Sequence, residues 1–467
     1  MPPSPGPVTE ARAIAIATAP PATRRVPAHL LMLSGILGVA LLAEFQRSAI
    51  LYGVLAMGLT IGLVPALKDW AGRRSGKLAL LLAVGAILGT LAVGGNLLRI
   101  AVVASRMSEV VVLVLCVALI RPALVELRLD HAVAAMAARV PWPFRGGAVV
   151  LGVTIAGLGL SFGAVSVFGG SLRGRTGDDA IAARAAMQGL ALSMILGPSN
   201  ASVAAVMATF PGVAWGDALL VGLPIAVAGI VVGAIAGRRL TIAAEPASTG
   251  ELTRAVVAIL AVPTVAVALH LASGLSMTLA IAASAVLVAA LLLSFAIGGG
   301  AATERGGLTG MLLRSDRQVG EAWKQASAET ALFLACGLFM GFMREPAVAE
   351  PARAFVAAVL PLGYAGLLVM MVGVPLASTL GIHPMAPFAI LAPVLTPSVL
   401  GIAAPGVFQA WIVAIGLSLV VSPASILTVT TVSSFGVPAE RLGLRWNGIY
   451  AASVAAIATG FLLFLSR

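Results

Sequence analysis

Thirteen apolar stretches follow one another along the chain, at residues 28–45, 48–67, 78–97, 110–126, 146–172, 182–210, 218–237, 255–273, 275–297, 331–343, 354–395, 408–435 and 447–465. A helix needs about 20 mostly apolar residues to cross the hydrocarbon core of a bilayer. Of the 467 residues, 60% are apolar and only 10% charged, whereas soluble domains carry roughly 25% charged residues. The chain therefore reads as an all-α polytopic membrane protein. Soluble enzymes, nucleic-acid binders and secreted disulfide scaffolds are excluded. The net charge of +11 fits this reading, because excess Lys and Arg gather in cytoplasmic loops. Cys116 and Cys336 lie inside apolar runs and read as packing residues. The four histidines are scattered, so no metal cluster is expected, and no cofactor or catalytic residue.

Two stretches, 146–172 and 354–395, are interrupted by Gly, Pro and hydroxyl residues. They read as re-entrant hairpins, each leaving on the side it entered. The other eleven runs then span. With the N-terminus inside, 23 of the 29 Lys and Arg residues fall on the inner side. Only Arg47, Arg99, Arg106, Arg344, Arg353 and Arg467 fall outside, as the positive-inside rule asks. The expected organisation is a disordered cytoplasmic tail over 1–27, a first half over 28–240, and scaffold helices over 241–297. A cytoplasmic linker over 298–330, with an amphipathic helix near Val319–Thr330, leads to a second half over 331–467. The first half holds a hairpin at 146–172 and a broken helix at 182–210. The second holds a hairpin at 354–395 and a broken helix at 408–435. The expected location is the inner membrane of the cell.

Leu192–Phe210 and Leu417–Phe435 align end to end without a gap. Leu192, Ser193, Pro198 and Phe210 match Leu417, Ser418, Pro423 and Phe435. In the layout above the two copies run in opposite directions, which is the inverted repeat of many secondary transporters. Each copy places a proline among small residues in mid-span: Gly197-Pro198-Ser199-Asn200-Ala201-Ser202 and Ser422-Pro423-Ala424-Ser425. Proline removes a backbone donor and breaks the helix. The freed groups are tolerated at that depth only inside protein or beside a cavity. A half-helix N-terminus offers N–H groups and a positive dipole end to an anion. Ser199, Asn200, Ser202, Ser422 and Ser425 are therefore candidate substrate ligands. The competing reading is a plain proline kink whose polar side chains bond to neighbouring helices.

The hairpins add Ser161 and Ser166 in the first, and Ser378, Thr379 and His383 in the second. A turn made in mid-bilayer exposes carbonyls to a small cation and hydroxyls to a carboxylate. His383 is the only ionisable side chain expected near a hairpin tip, which makes it a candidate for a substrate or proton role. Backbone or hydroxyl oxygens at Gly163, Gly197, Gly381 and Ser422 are candidate cation ligands. All 18 acidic residues fall in tails, loops or span ends. No carboxylate is expected at a midplane, which suits an anionic cargo.

With these elements the chain resembles the ion transporter superfamily, and within it the divalent anion–sodium symporters for dicarboxylates and citrate. The resemblance rests on Ser161–Gly170 and Ser378–Pro387, at the places of the hairpin tips. It rests also on Gly197–Ser202 and Ser422–Ser425, at the places of the broken spans. Phe210–Pro224, with Trp215 and Gly222-Leu223-Pro224, is similar to the loop and span that follow the first broken helix. The resemblance implies a homodimer whose hairpins and broken spans move past a fixed scaffold. It also implies substrate carboxylates and sodium held at the hairpin tips. In that family the tips carry Ser-Asn-Thr. Here neither does, and Ser199-Asn200 lies in the broken span instead.

The leading function is a secondary transporter of a small organic anion, such as a di- or tricarboxylate, coupled to a cation with Na+ favoured over H+. The expected partners are that anion, the lipid bilayer and a second copy of the chain, with no nucleic acid. The alternative is an ion or oxyanion antiporter or exporter of the same superfamily. Gly159-Leu160-Ser161-Phe162-Gly163 also fits G-x-S-x-G. With His383 as base it would give an intramembrane serine hydrolase, a remote third reading, because that motif needs a strand-to-helix elbow.

Overall fold

The computed structural model describes residues 27–120, 129–197, 199–210, 212–243, 248–298, 307–359, 363–423 and 425–466. Among them regular structure is helical, apart from one antiparallel bridge between Thr176 and Ile242. The chain opens with α1 (Ala28–Phe45), α2 (Ala49–Leu63), α3 (Leu67–Ala71) and α4 (Arg74–Ala92). A jointed pair follows, α5 (Leu97–Ser105) and α6 (Ser108–Val117), and then α7 (Leu129–Arg139). The first repeat comprises α8 (Arg145–Leu160), α9 (Gly163–Leu172), α10 (Asp179–Leu196), α11 (Ala201–Thr209) and α12 (Trp215–Ala236). Next come α13 (Thr249–Ser273), α14 (Met277–Gly298) and α15 (Gly307–Met343).

In the second repeat α16 (Pro346–Val359) and α17 (Gly363–Leu368) lead through a π-helical turn (Val369–Gly373) into α18 (Val374–Thr379). After it come α19 (Met385–Leu391) and α20 (Pro397–Leu400), then α21 (Ala404–Val421), α22 (Ile426–Phe435), α23 (Ala439–Leu442) and α24 (Leu444–Leu465).

Ten segments of the described residues are long and apolar enough to cross a membrane, where the hydropathy pattern gives eleven. The difference is α2. It is an apolar helix of 15 residues that runs from beside Glu44, bonded to Tyr52, to the Trp323 side of α15, which Gly62 touches. The fourth crossing also moves. Among the described residues it runs Leu97–Val117, so it takes in Arg99, which lies on α5, and Arg106, at the joint between α5 and α6; residues 121–126 of the expected run lie outside the described residues. Residues Val319–Thr330 are not a separate surface helix. They are the middle of α15, a continuous 37-residue helix with no proline to stop it, and Val319, Ser327 and Thr330 are buried.

The helix ends gather in two layers. At one end Asp316 of α15 accepts the backbone N–H of His29 at 2.7 Å, at the start of α1. The Arg145 guanidinium at the start of α8 donates to the Ile242 carbonyl. At the other end Arg344, past α15, donates to the Thr209 carbonyl at 3.2 Å. There too the Gln409 amide of α21 donates to the Ala218 carbonyl of α12 at 2.7 Å.

The repeat is in register. α10 and α21 are each 18 residues long. They start at Asp179 and Ala404, which are equivalent positions under the alignment that sets Leu192 on Leu417. The starts of α11 and α22, Ala201 and Ile426, are equivalent in the same way. α10 and α21 pack side by side and antiparallel: Gln409 reaches the Ile195 carbonyl, and Gly416 lies against Ala191. A Cβ on Gly416 would stand 3.3 Å from the Ala191 carbonyl oxygen, so only a small residue lets the backbones come this close. Ala191 and Gly416 are themselves an equivalent pair. Each touches its own counterpart, as residues on a twofold axis must, so this pair marks the pseudo-twofold axis.

Cysteines placed at 310 and 467, in a chain with Cys116 and Cys336 replaced, should label from opposite faces of sealed vesicles. A membrane-impermeant maleimide decides. Labelling of both from one face would overturn the layout.

Candidate substrate site

The first break is held together by polar side chains. α10 ends at Gly197, whose N–H donates to the Ser193 carbonyl at 2.9 Å. Pro198 lies outside the described residues. Asn200 then caps α11: its Oδ1 accepts the Ser202 N–H at 2.9 Å. The other end of the same amide reaches Ser161 Oγ at 3.5 Å. Ser199 Oγ donates to the Gly157 carbonyl at 2.7 Å, one turn before the tip of the α8–α9 hairpin. Ser161, Ser199, Asn200 and Ser202 are all buried. Ser161 itself has φ +48°, shared in sign only with Arg47 among the described non-glycine residues. Such backbone costs roughly 1–3 kcal/mol and persists where surrounding packing imposes it. Gly163 opens α9. A Cβ on Gly197 would come within 2.6 Å of Leu158, so the break is docked directly on the hairpin. Ser166 stands apart, half-buried and without a hydrogen bond among the described residues.

The second break is built differently. Ser425 Oγ accepts the Thr428 N–H at 3.0 Å and donates to the Leu419 carbonyl at 2.7 Å. Thr428 Oγ1 donates to the Ser422 carbonyl at 2.7 Å. Thr428 thus bridges the break, a role hidden in the sequence by the apolar run around it. In the neighbouring hairpin Ser378 is fully buried and its hydroxyl has no partner among the described residues. Thr379 donates to the Leu376 carbonyl of its own helix at 2.7 Å. His383 Nδ1 accepts the Met385 N–H at 3.3 Å, so the neutral ring carries its proton on Nε2. Gly381 has φ +85°, and a Cβ there would meet the Arg74 guanidinium at 2.9 Å. Among the described residues none of Ser378, Thr379 and His383 bonds to Ser422–Ser425.

The two breaks do not face one another. From the Ala191–Gly416 crossing each lies six residues further along its own helix, about 9 Å of rise. The two helices run in opposite directions. The result is two separate polar clusters, candidate half-sites, roughly 18 Å apart along the helix axes. Ser161, Ser199, Asn200 and Ser202 come together in one. Ser422 and Ser425 come together with Thr428 in the other.

A further polar group escapes the sequence reading. Ser276, before α14, donates its N–H to Glu44 at 3.2 Å and its hydroxyl to Glu109 at 3.1 Å. Tyr52 donates to Glu44, and the Arg106 guanidinium lies 5.0 Å from the Tyr52 ring centre. Glu109 therefore sits within the Leu97–Val117 crossing, not in a loop. Its polar oxygens are accommodated there by the hydroxyl of Ser276, in a cluster that also holds Glu44, Tyr52 and Arg106. The visible signal was three charged residues abutting apolar runs.

The G-x-S-x-G turn at Ser161 joins two helices, and Asn200 meets its hydroxyl where a hydrolase would need histidine. The sequence matches no protein-family model and no curated protein. The backbone is similar to the crystal structure of the Alcanivorax borkumensis YdaH transporter, whose topology is described as unusual. The TM-score is 0.51 at 13% identity, over 88% of this chain and 98% of that one. The chain shares that fold, and ten of its helical segments among the described residues are long and apolar enough to cross a membrane.

The hydroxyls of Ser199 and Ser378 should behave oppositely in thermal unfolding of the purified protein. Ser199→Ala loses a buried hydrogen bond and should cost about 1 kcal/mol. Ser378→Ala removes an unpartnered hydroxyl and should be neutral or slightly stabilising. A comparable loss in both variants would mean that Ser378 is bonded.

Proposed function

We propose that the chain is a secondary active transporter of a small organic anion, such as a di- or tricarboxylate, coupled to a cation. It works by elevator-type alternating access as a homodimer in the cell membrane, its N-terminus in the cytoplasm. The observation that carries this reading is the register of the inverted repeat: two broken helices of equal length meet at their own symmetry mates. Inverted repeats with broken helices are the architecture from which alternating access is built. In this reading the α8–α9 and α17–α19 segments are re-entrant hairpins that travel with the broken helices.

The first half-site supports an anionic cargo. Its side chains are an amide and hydroxyls, Asn200, Ser161, Ser199 and Ser202, which can donate to carboxylate oxygens. The hydrogen bonds described around it bring in no carboxylate to repel one. The second half-site, with the Ser422 and Leu419 carbonyls and the Ser425 and Thr428 hydroxyls, supports a hard cation, which takes oxygen ligands. Sodium is favoured over protons because His383 Nδ1 already accepts a backbone N–H, a bond that protonation there would remove.

The test is uptake of di- and tricarboxylates into proteoliposomes, first under a sodium gradient at fixed pH, then under a pH gradient without sodium. The sodium gradient should drive uptake. Asn200→Ala should weaken substrate binding about tenfold or more, since a lost hydrogen bond to a charged group is worth roughly 1.5–3 kcal/mol. If the pH gradient alone drives uptake and His383→Gln abolishes it, the coupling ion is the proton. If only inorganic oxyanions move, the antiporter reading replaces this one.

A further inference from the structure

A cavity of about 510 Å³ opens at the end of the molecule where α10 begins. Arg184 of α10 and Arg238 and Arg239 after α12 line it, with Asp178, Trp446 and Ile235. None of the three arginines forms an ion pair among the described residues. Asp178 is already engaged, capping α10 through the Ala180 N–H at 2.9 Å. Three guanidinium groups against one carboxylate leave the cavity strongly cationic. The N-terminus of α10 and the C-terminus of α12 both end here, so their dipoles oppose each other and the arginines set the field.

The pseudo-twofold shows that Arg184 is not simply structural. Its counterpart in the second repeat is Gln409. Gln409 seals its own helix contact by donating to the carbonyls of Ile195 and Ala218. The residue equivalent to Ala218 is Gly443, whose carbonyl already accepts the N–H groups of Trp446 and Asn447. Arg184 finds no such acceptor, and its Nε is buried without a partner among the described residues.

The geometry points to a binding site for the phosphate of an acidic phospholipid headgroup. Guanidinium groups bind phosphate oxygens in paired hydrogen bonds. Basic pockets between membrane helices take acidic headgroups. The apolar wall of Ile235 and the ring of Trp446 beside the arginines fit a ligand that is charged at one end and hydrocarbon at the other, since Trp favours the membrane interface. A free phosphate ion would have no use for that wall.

The test uses the full-length protein in detergent, with phosphatidylglycerol, phosphatidylcholine or inorganic phosphate added. Binding is read by native mass spectrometry and by the shift in melting temperature. Phosphatidylglycerol should bind and stabilise, and phosphatidylcholine and phosphate should do so far less. Arg184→Gln, and separately Arg238→Ala with Arg239→Ala, should each weaken lipid binding by about tenfold or more. Arg254→Ala, an exposed arginine in α13, should leave it unchanged. The double variant alters only exposed side chains, so it keeps the test alive if Arg184→Gln misfolds. Equal stabilisation by both lipids, equal loss in Arg254→Ala, or a full shift with phosphate alone would each overturn the assignment.

Discussion

Asn200 and Ser425 hold equivalent positions in the two repeats and do the same thing: each accepts a backbone N–H at the start of a half-helix inside the molecule. An N–H left bare in apolar surroundings costs several kcal/mol. Two helices can therefore break in the interior only because each break brings its own cap. The caps also fix what surrounds them. Asn200 leaves its amide Nδ2 to meet Ser161, and Ser199 ties the hairpin at Gly157. At the other break Thr428 takes the part that the hairpin takes at the first. The same interaction that makes the break tolerable thus assembles the half-site around it.

Much of this was legible in the residues. Proline and glycine punctuate an apolar run whatever its tertiary setting, so the breaks, the hairpin tip at Ser161 and the constant offset between the repeats could all be read directly. The misreadings share a cause. A charge beside an apolar run reads as the end of a span, but Arg106 stacks on the Tyr52 ring and Glu109 accepts the Ser276 hydroxyl, partners distant in sequence. The residues before 331 read as a linker because they are charged. Yet helix α15 has nothing to interrupt it, and its polar middle packs on neighbours. The separation of the two half-sites could not be read at all. It depends on where α10 and α21 cross, and that is set by the small pair Ala191 and Gly416.

An inverted repeat gives the same backbone position to both faces of the molecule, but the faces do not meet the same surroundings. Position 184 and position 409 make the point. Gln409, at the end where α12 starts, needs only to satisfy two carbonyls, and a neutral amide does so. Arg184, at the end that gathers Arg238 and Arg239, has its equivalent acceptor occupied by Trp446 and Asn447, so its charge is turned to a cavity. The symmetry of the fold fixes where a side chain stands. The asymmetry of the membrane, with basic residues concentrated on one side, decides which side chain can be kept there. That division explains why the two halves match in helix length and cap position while sharing only four identities across the best-aligned nineteen residues.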